Sequence, residues 1–189
     1  MVYKYTINGL KLRTGDLICT TDGGGELFVG EFWRLVGKLI PGDVDHIVIY
    51  IGPGGCCVES GATGRVIKFE IPGDIWDPDA MYSQRKLIDT LYGVAYPLAG
   101  RDLSEVREND IREKVAAFCV KQAEAGKPYN INFLDSDTED AFYCSQLAYR
   151  TYRNCDIDLN TNCGVPDIPG TETVIFPQEI WEGCVNRRV

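Results

Sequence analysis

Eight cysteines and a single histidine frame the chemistry open to this 189-residue chain. One thiol stands apart by position. Cys144, in the stretch Asp140 to Arg153, opens a run whose apolar residues recur with helical spacing. Unpaired amides and the helix dipole favour thiolate over thiol at such a start. A thiolate nucleophile also needs a base that can carry a proton to the leaving group. His46 is the only imidazole available. A third polar group must hold that imidazole in its working tautomer. Glu59 is the candidate, because the strand that carries it returns from a turn at Pro53-Gly54-Gly55 and its register could set it opposite or near His46. Asp45 precedes His46 but points to the opposite face of a regular strand, and it ranks below Glu59. The backbone N–H of Cys144, unpaired at a helix start, can donate to an oxyanion. Each residue alone has a plainer reading: a buried thiol, a satisfied strand histidine, a solvent-facing hairpin glutamate. Together they gain weight because their elements could line one cleft.

The elements that must position them are legible in outline. Residues 1–13 read as a short strand or arm with a turn at Asn8-Gly9, and residues 14–20 as a turn feeding a strand. Gly23, Gly24 and Gly25 break the chain without the lysine and hydroxyl of a phosphate-binding loop. Residues 26–40 carry one broad apolar helical face, closed by Pro41-Gly42. The run 45–52 is β-branched and nearly continuous, as a central strand buried on both sides should be. Residues 56–60 and 65–71 continue it as an antiparallel meander. Residues 72–84 read as a polar loop around Trp76, and 86–96 as a further strand. Ser104 caps a helix running to about Ala125, with Gly126 closing it. A loop over 127–134 and an acidic link over 135–140 lead to the Cys144 helix, which ends near Arg153. The tail reads as loop, finishing in a helical turn over 178–183.

Bulk properties narrow the partners. The length fits one domain spanning 1–189, and the 44% hydrophobic and 25% charged fractions are those of an ordinary globular protein. A formal net charge of −9 disfavours nucleic acid and anionic membranes. No apolar run is long enough for a transmembrane segment, and the N-terminus shows no secretory signal, so a cytoplasmic location is expected. The cysteines are irregularly spaced and read as mostly reduced. No metal site and no cofactor is expected, since paired Cys-x-x-Cys units are lacking. Cys19, Cys57 and Cys119 lie among apolar neighbours and read as small core residues.

Three segments in order carry a family resemblance: Gly15 to Ile18, Asp45 to Gly52, and Val58-Glu59-Ser60. They resemble the sheet half of NlpC-type papain-like hydrolases. Tyr143-Cys144-Ser145-Gln146 follows that sheet instead of preceding it. This order resembles the circularly permuted branch, the YiiX/YaeF-like papain-like amidases, with retinol acyltransferase-like enzymes as more distant relatives. Gly126 to Asn130 and Val174 to Glu179 also look like that branch. The resemblance covers roughly residues 14 to 180. It implies an α+β, papain-like fold, with a central antiparallel sheet or barrel packed against helices. It implies Cys144 as nucleophile, His46 as base and Glu59 as orienting residue, acting on an amide (peptide or N-acyl) bond through an acyl-thioester. Tyr143 and Tyr129, in the matching segments, become candidates for shaping the substrate or oxyanion site. The expected substrate is a small-molecule, peptide or lipid-like amide or ester. The alternative is a lipid- or acyl-chain-binding protein or acyltransferase on the same scaffold, with Phe28, Phe32 and Trp33 lining the pocket.

Overall fold

A computed structural model describes residues 1–21 and 41–189. The glycine run 23–25, the helix expected over 26–40, and Phe28, Phe32 and Trp33 fall outside the described residues. The chain opens with a two-stranded hairpin, β1 (Lys4–Ile7) and β2 (Leu10–Arg13), turned at Asn8 and Gly9, both with positive φ. Six further strands form one sheet: β3 (Leu17–Thr21), β4 (His46–Tyr50), β5 (Cys56–Ser60), β6 (Val66–Glu70), β7 (Thr90–Tyr96) and β8 (Val185–Arg188). Their order is β6-β5-β4-β3-β7-β8, and every neighbouring pair is antiparallel. Four helices are seen among the described residues: α1 (Pro78–Arg85), α2 (Glu105–Glu124), α3 (Cys144–Arg153) and α4 (Pro177–Gly183). The architecture is α+β.

Both faces of the sheet are covered, which explains the fully buried β4 and β5. One face packs Leu17, Ile47, Ile49 and Val58 against Val115 of α2 and Leu147 and Ala148 of α3. The other packs Ile18, Val48, Tyr50 and Cys57 against Trp76 and Met81, beside and within α1. Burial on two sides favours the near-continuous apolar runs seen in β3 and β4. Gly15 lets the chain enter β3. Its φ is +93°, and a Cβ there would meet the Tyr152 hydroxyl at 2.9 Å. That hydroxyl donates to the Gly15 carbonyl at 2.7 Å, fastening α3 to the sheet.

Three expectations need correction. Residues 78–85, expected within a loop, form helix α1. Asp77 caps it by accepting from the Ala80 N–H at 3.0 Å, and Pro78 sits in the first turn where its missing N–H costs nothing. The strand expected from Lys86 begins only at Thr90, because Lys86 ends α1 in the left-handed region with φ of 58°. The tail does not finish in a helical turn. After α4, Val185–Arg188 returns as β8 and pairs with β7. The exposed, basic sequence of β8 suits an edge strand and carries no apolar alternation to announce it.

Candidate active site

Helix α3 delivers Cys144 as its first residue. Its N-terminus is fixed from several directions. Gln146, fully buried, accepts through Oε1 from the Tyr143 N–H at 3.1 Å and from Asn130 Nδ2 at 3.0 Å. Its Nε2 donates to the carbonyls of Thr138 and Asp135 at 3.2 and 3.3 Å. The approach segment is stitched to its neighbours by backbone bonds: Tyr129 N–H to Gly64 O, and Phe142 N–H to Pro128 O. These bonds fix the start of α3, and with it the backbone that carries Cys144.

His46 opens β4 and Glu59 lies near the end of β5. The β4–β5 register pairs Ile49 with Val58 and Tyr50 with Cys57. Extended back, it puts His46 across from Gly61 and Glu59 one diagonal step away on the same face. A Cβ on Gly61 would lie 3.2 Å from His46 Cε1, so the glycine makes room for the ring. His46 Nε2 is 2.8 Å from Glu59 Oε2. The Cys144 sulfur lies close enough to the imidazole for each to shift the other's pKa. Since Nε2 is committed to the carboxylate, Nδ1 is the ring nitrogen left for sulfur. Asp45 is tied by its N–H to Thr20 O at 3.1 Å, and the imidazole's carboxylate is Glu59.

Beyond Glu59 lies a buried charge network with no counterpart among the sequence candidates. Arg85, the last residue of α1, is fully buried. Its Nη2 meets Glu59 Oε2 at 2.8 Å, and its Nε meets both Glu59 oxygens at 3.1 Å. On its far side, Nη1 and Nη2 each reach a different Asp89 oxygen at 2.8 Å. Its guanidinium lies 4.6 Å from the Trp76 ring and 4.9 Å from that of Phe69. Asp89 also accepts from Thr20 Oγ1 at 2.7 Å and Trp76 Nε1 at 3.1 Å. One buried guanidinium faces two carboxylates, with Thr20 and Trp76 donating to Asp89 and His46 to Glu59, and this permits charge in a dry site.

The electrostatics follow. Burial would raise the Glu59 pKa, but Arg85 and the hydrogen bond to His46 override it and pull the carboxyl to about 2. An ionised Glu59 accepts, so His46 Nε2 carries its proton. Burial would lower the His46 pKa; the Cys144 thiolate, then Glu59, raise it to about 10. Burial would raise the Cys144 pKa; the His46 imidazolium, with the Ile47 N–H, holds it below the ordinary thiol value. At Cys19, Cys56, Cys57, Cys119, Cys155 and Cys184 burial outweighs the groups that favour thiolate, and the pKa rises. All eight cysteines are free thiols. Among the described residues no group of three His, Cys, Asp or Glu side chains could hold a metal ion. No described helix is long and apolar enough to cross a membrane.

A pH dependence follows with a definite sign. The folded Glu59 pKa lies below the ordinary 4.5. Its contribution to stability is therefore complete above about pH 4.5 and is lost as pH falls toward 2. Glu59→Gln should remove on the order of 3 kcal/mol at neutral pH. It should also flatten the urea midpoint across that acid window. Parallel midpoint curves for wild type and variant would sink this assignment.

Tyr143 and Tyr129 both come to the sulfur's side of the molecule. The Tyr143 hydroxyl accepts from the Ile175 N–H at 3.0 Å and stands 3.5 Å from Phe133 O. Tyr129 and Phe133 meet edge to face, with Phe133 in turn 5.3 Å from the Tyr143 ring. These rings border a cavity of about 320 Å³ that opens onto Cys144.

Arg85, Asp89 and Gln146 are the residues that sequence reasoning missed. A lone arginine in a polar stretch reads as solvated, and nothing local marks it as the partner of a glutamate twenty-six positions earlier. The Asp77-Pro78 helix start was the one available signal. Fold and site together define an α+β protein with a buried Cys–His–Glu constellation at the N-terminus of a helix. Compared with protein-family models, curated proteins and solved structures, the chain gives no match in any of the three.

Proposed function

We propose that this chain is a cysteine hydrolase that cleaves an amide bond, peptide or N-acyl, through an acyl-thioester on Cys144. The observation that carries the reading is the placement of the imidazole: its Nε2 is 2.8 Å from Glu59 Oε2, and the Cys144 sulfur at the start of α3 is near enough that each shifts the other's pKa toward the charged pair. The Cys144 thiolate adds to the carbonyl carbon, and the oxyanion that forms is met by the helix-start N–H of Cys144. His46 gives its proton to the leaving nitrogen as the C–N bond breaks, leaving the acyl group on sulfur. It then takes a proton from water, whose oxygen adds to the thioester. Collapse releases the carboxylic acid and returns the thiolate with imidazolium. Glu59 keeps the ring oriented throughout and favours the imidazolium. The order of segments, with the cysteine helix after the sheet that carries the histidine, supports a place among circularly permuted papain-like amidases of the YiiX/YaeF type.

The test is a panel of activity-based probes bearing peptide, acyl-amide and ester warheads, applied to wild type and Cys144→Ala. One cysteine, Cys144, should take up label at neutral pH, and the variant should take up none. Even labelling across several cysteines, unchanged in the variant, would refute the reading.

A further inference from the structure

The cavity beside the sulfur has a chemical character of its own. It is bordered by Tyr129, Phe133, Tyr143, Val174, Ile175 and Phe176, with Cys144 and Ser145 also in its wall. Apart from the Cys144 sulfur, no described residue that lines it carries a charge. Its polar side chains near the sulfur are already engaged. Ser145 Oγ donates to Ile175 O at 2.7 Å, and the Tyr143 hydroxyl accepts from the N–H of the same residue. A charged group placed here would lose its water with nothing to replace it, a cost of several kcal/mol. An apolar group would gain. The volume of about 320 Å³ is roughly twice that of a ~150 Å³ apolar cavity that accepts benzene. That admits a group of about ten carbon atoms.

We infer that the acyl group passed to Cys144 is uncharged and apolar, with the bulk of a medium-length chain, and is seated in this cavity. The inference rests on the proposed Cys144 chemistry and adds the identity of the acyl side. Two sources share that chemistry: a fatty-acyl group, and an amino-acyl group with a large apolar side chain. Each transfers to sulfur in the same way, with the alcohol or amine leaving and taking the proton from His46.

The test is acylation and turnover of the full chain with p-nitrophenyl esters in two series. The first runs from acetyl to dodecanoyl; the second compares N-acetylglycyl with N-acetylphenylalanyl and N-acetylaspartyl esters. The ratio kcat/KM should rise about fourfold per methylene and level off near ten carbons. If the source is amino-acyl, the rise appears as phenylalanyl over glycyl, with aspartyl lowest. Val174→Trp, which fills the half-buried side of the cavity, should lower the ratio of octanoyl to acetyl turnover at least tenfold. Its folding is checked by circular dichroism, and the wild-type series stands without it. Acetyl turnover on Cys144 with no dependence on chain or side chain would overturn this inference and leave the thiol chemistry intact. Failure of every ester to acylate Cys144 would overturn both.

Discussion

In His46→Ala, alkylation of Cys144 by iodoacetamide at pH 7 should fall at least tenfold. The argument weighs two opposed effects. With His46 present, the imidazolium holds the thiol below its ordinary value despite burial. Without it, burial remains and acts alone to raise the pKa. The thiolate fraction at pH 7 then drops to about a per cent or less, as for an unassisted thiol. A thiolate of higher pKa is intrinsically the better nucleophile, with a Brønsted slope of ~0.4–0.5, which returns part of the loss. The net effect stays large because the fraction falls with the full pKa change and nucleophilicity recovers only about half of it. The substitution should spare the fold, since Glu59 keeps its contacts to Arg85. Mass-spectrometric rates at Cys144 give the comparison, and equal rates in the two proteins would remove His46 from the site.

Arg85→Leu should destabilise the protein by about 3–5 kcal/mol, the range for breaking a buried ion pair on one side. The guanidinium is wholly buried, and its removal leaves Glu59 and Asp89 as two carboxylates in an apolar shell of Phe69 and Trp76. At this chain length that corresponds to a drop in Tm of roughly 10 °C. Arg85→Lys should recover little, because an ammonium cannot bridge two carboxylates in the plane that a guanidinium spans. The same variants should release Glu59 from its low pKa and weaken its hold on His46. Thermal unfolding at neutral pH reads the first effect; a loss under 1 kcal/mol would mean that the network carries no structural load.

The part of the site that lies on regular elements was legible in the sequence. The β-branched run around His46, the glycine turn after it and the apolar period after Cys144 each follow from local chemistry, and the hairpin places Glu59 within reach of His46. Ser104 likewise announced α2, where it accepts from the Arg107 N–H. What lay hidden depends on distant pairing. Arg85 is meaningful only once α1 folds against the sheet and meets a glutamate on β5. Helix α1 itself was obscured because its polar composition offers only Met81 and Arg85 to the interior. The strand β8 was obscured for the opposite reason: it forms by backbone pairing along the edge β7 presents, with side chains that show no alternation. Gln146 looked like an ordinary polar helix residue, and its burial arises from the loop 130–138 folding over the helix start.

The most direct test of the central claim is the thiolate ultraviolet absorbance of the native protein, followed against pH as a difference between wild type and Cys144→Ser. Burial raises the pKa of six of the remaining cysteines, and the difference isolates the Cys144 sulfur. The account predicts a titration step, present in wild type and absent in the variant, that lies below the ordinary thiol pKa of 9.0 and shifts upward in His46→Ala. A Cys144 step at or above that value, unmoved by the loss of His46, would contradict it.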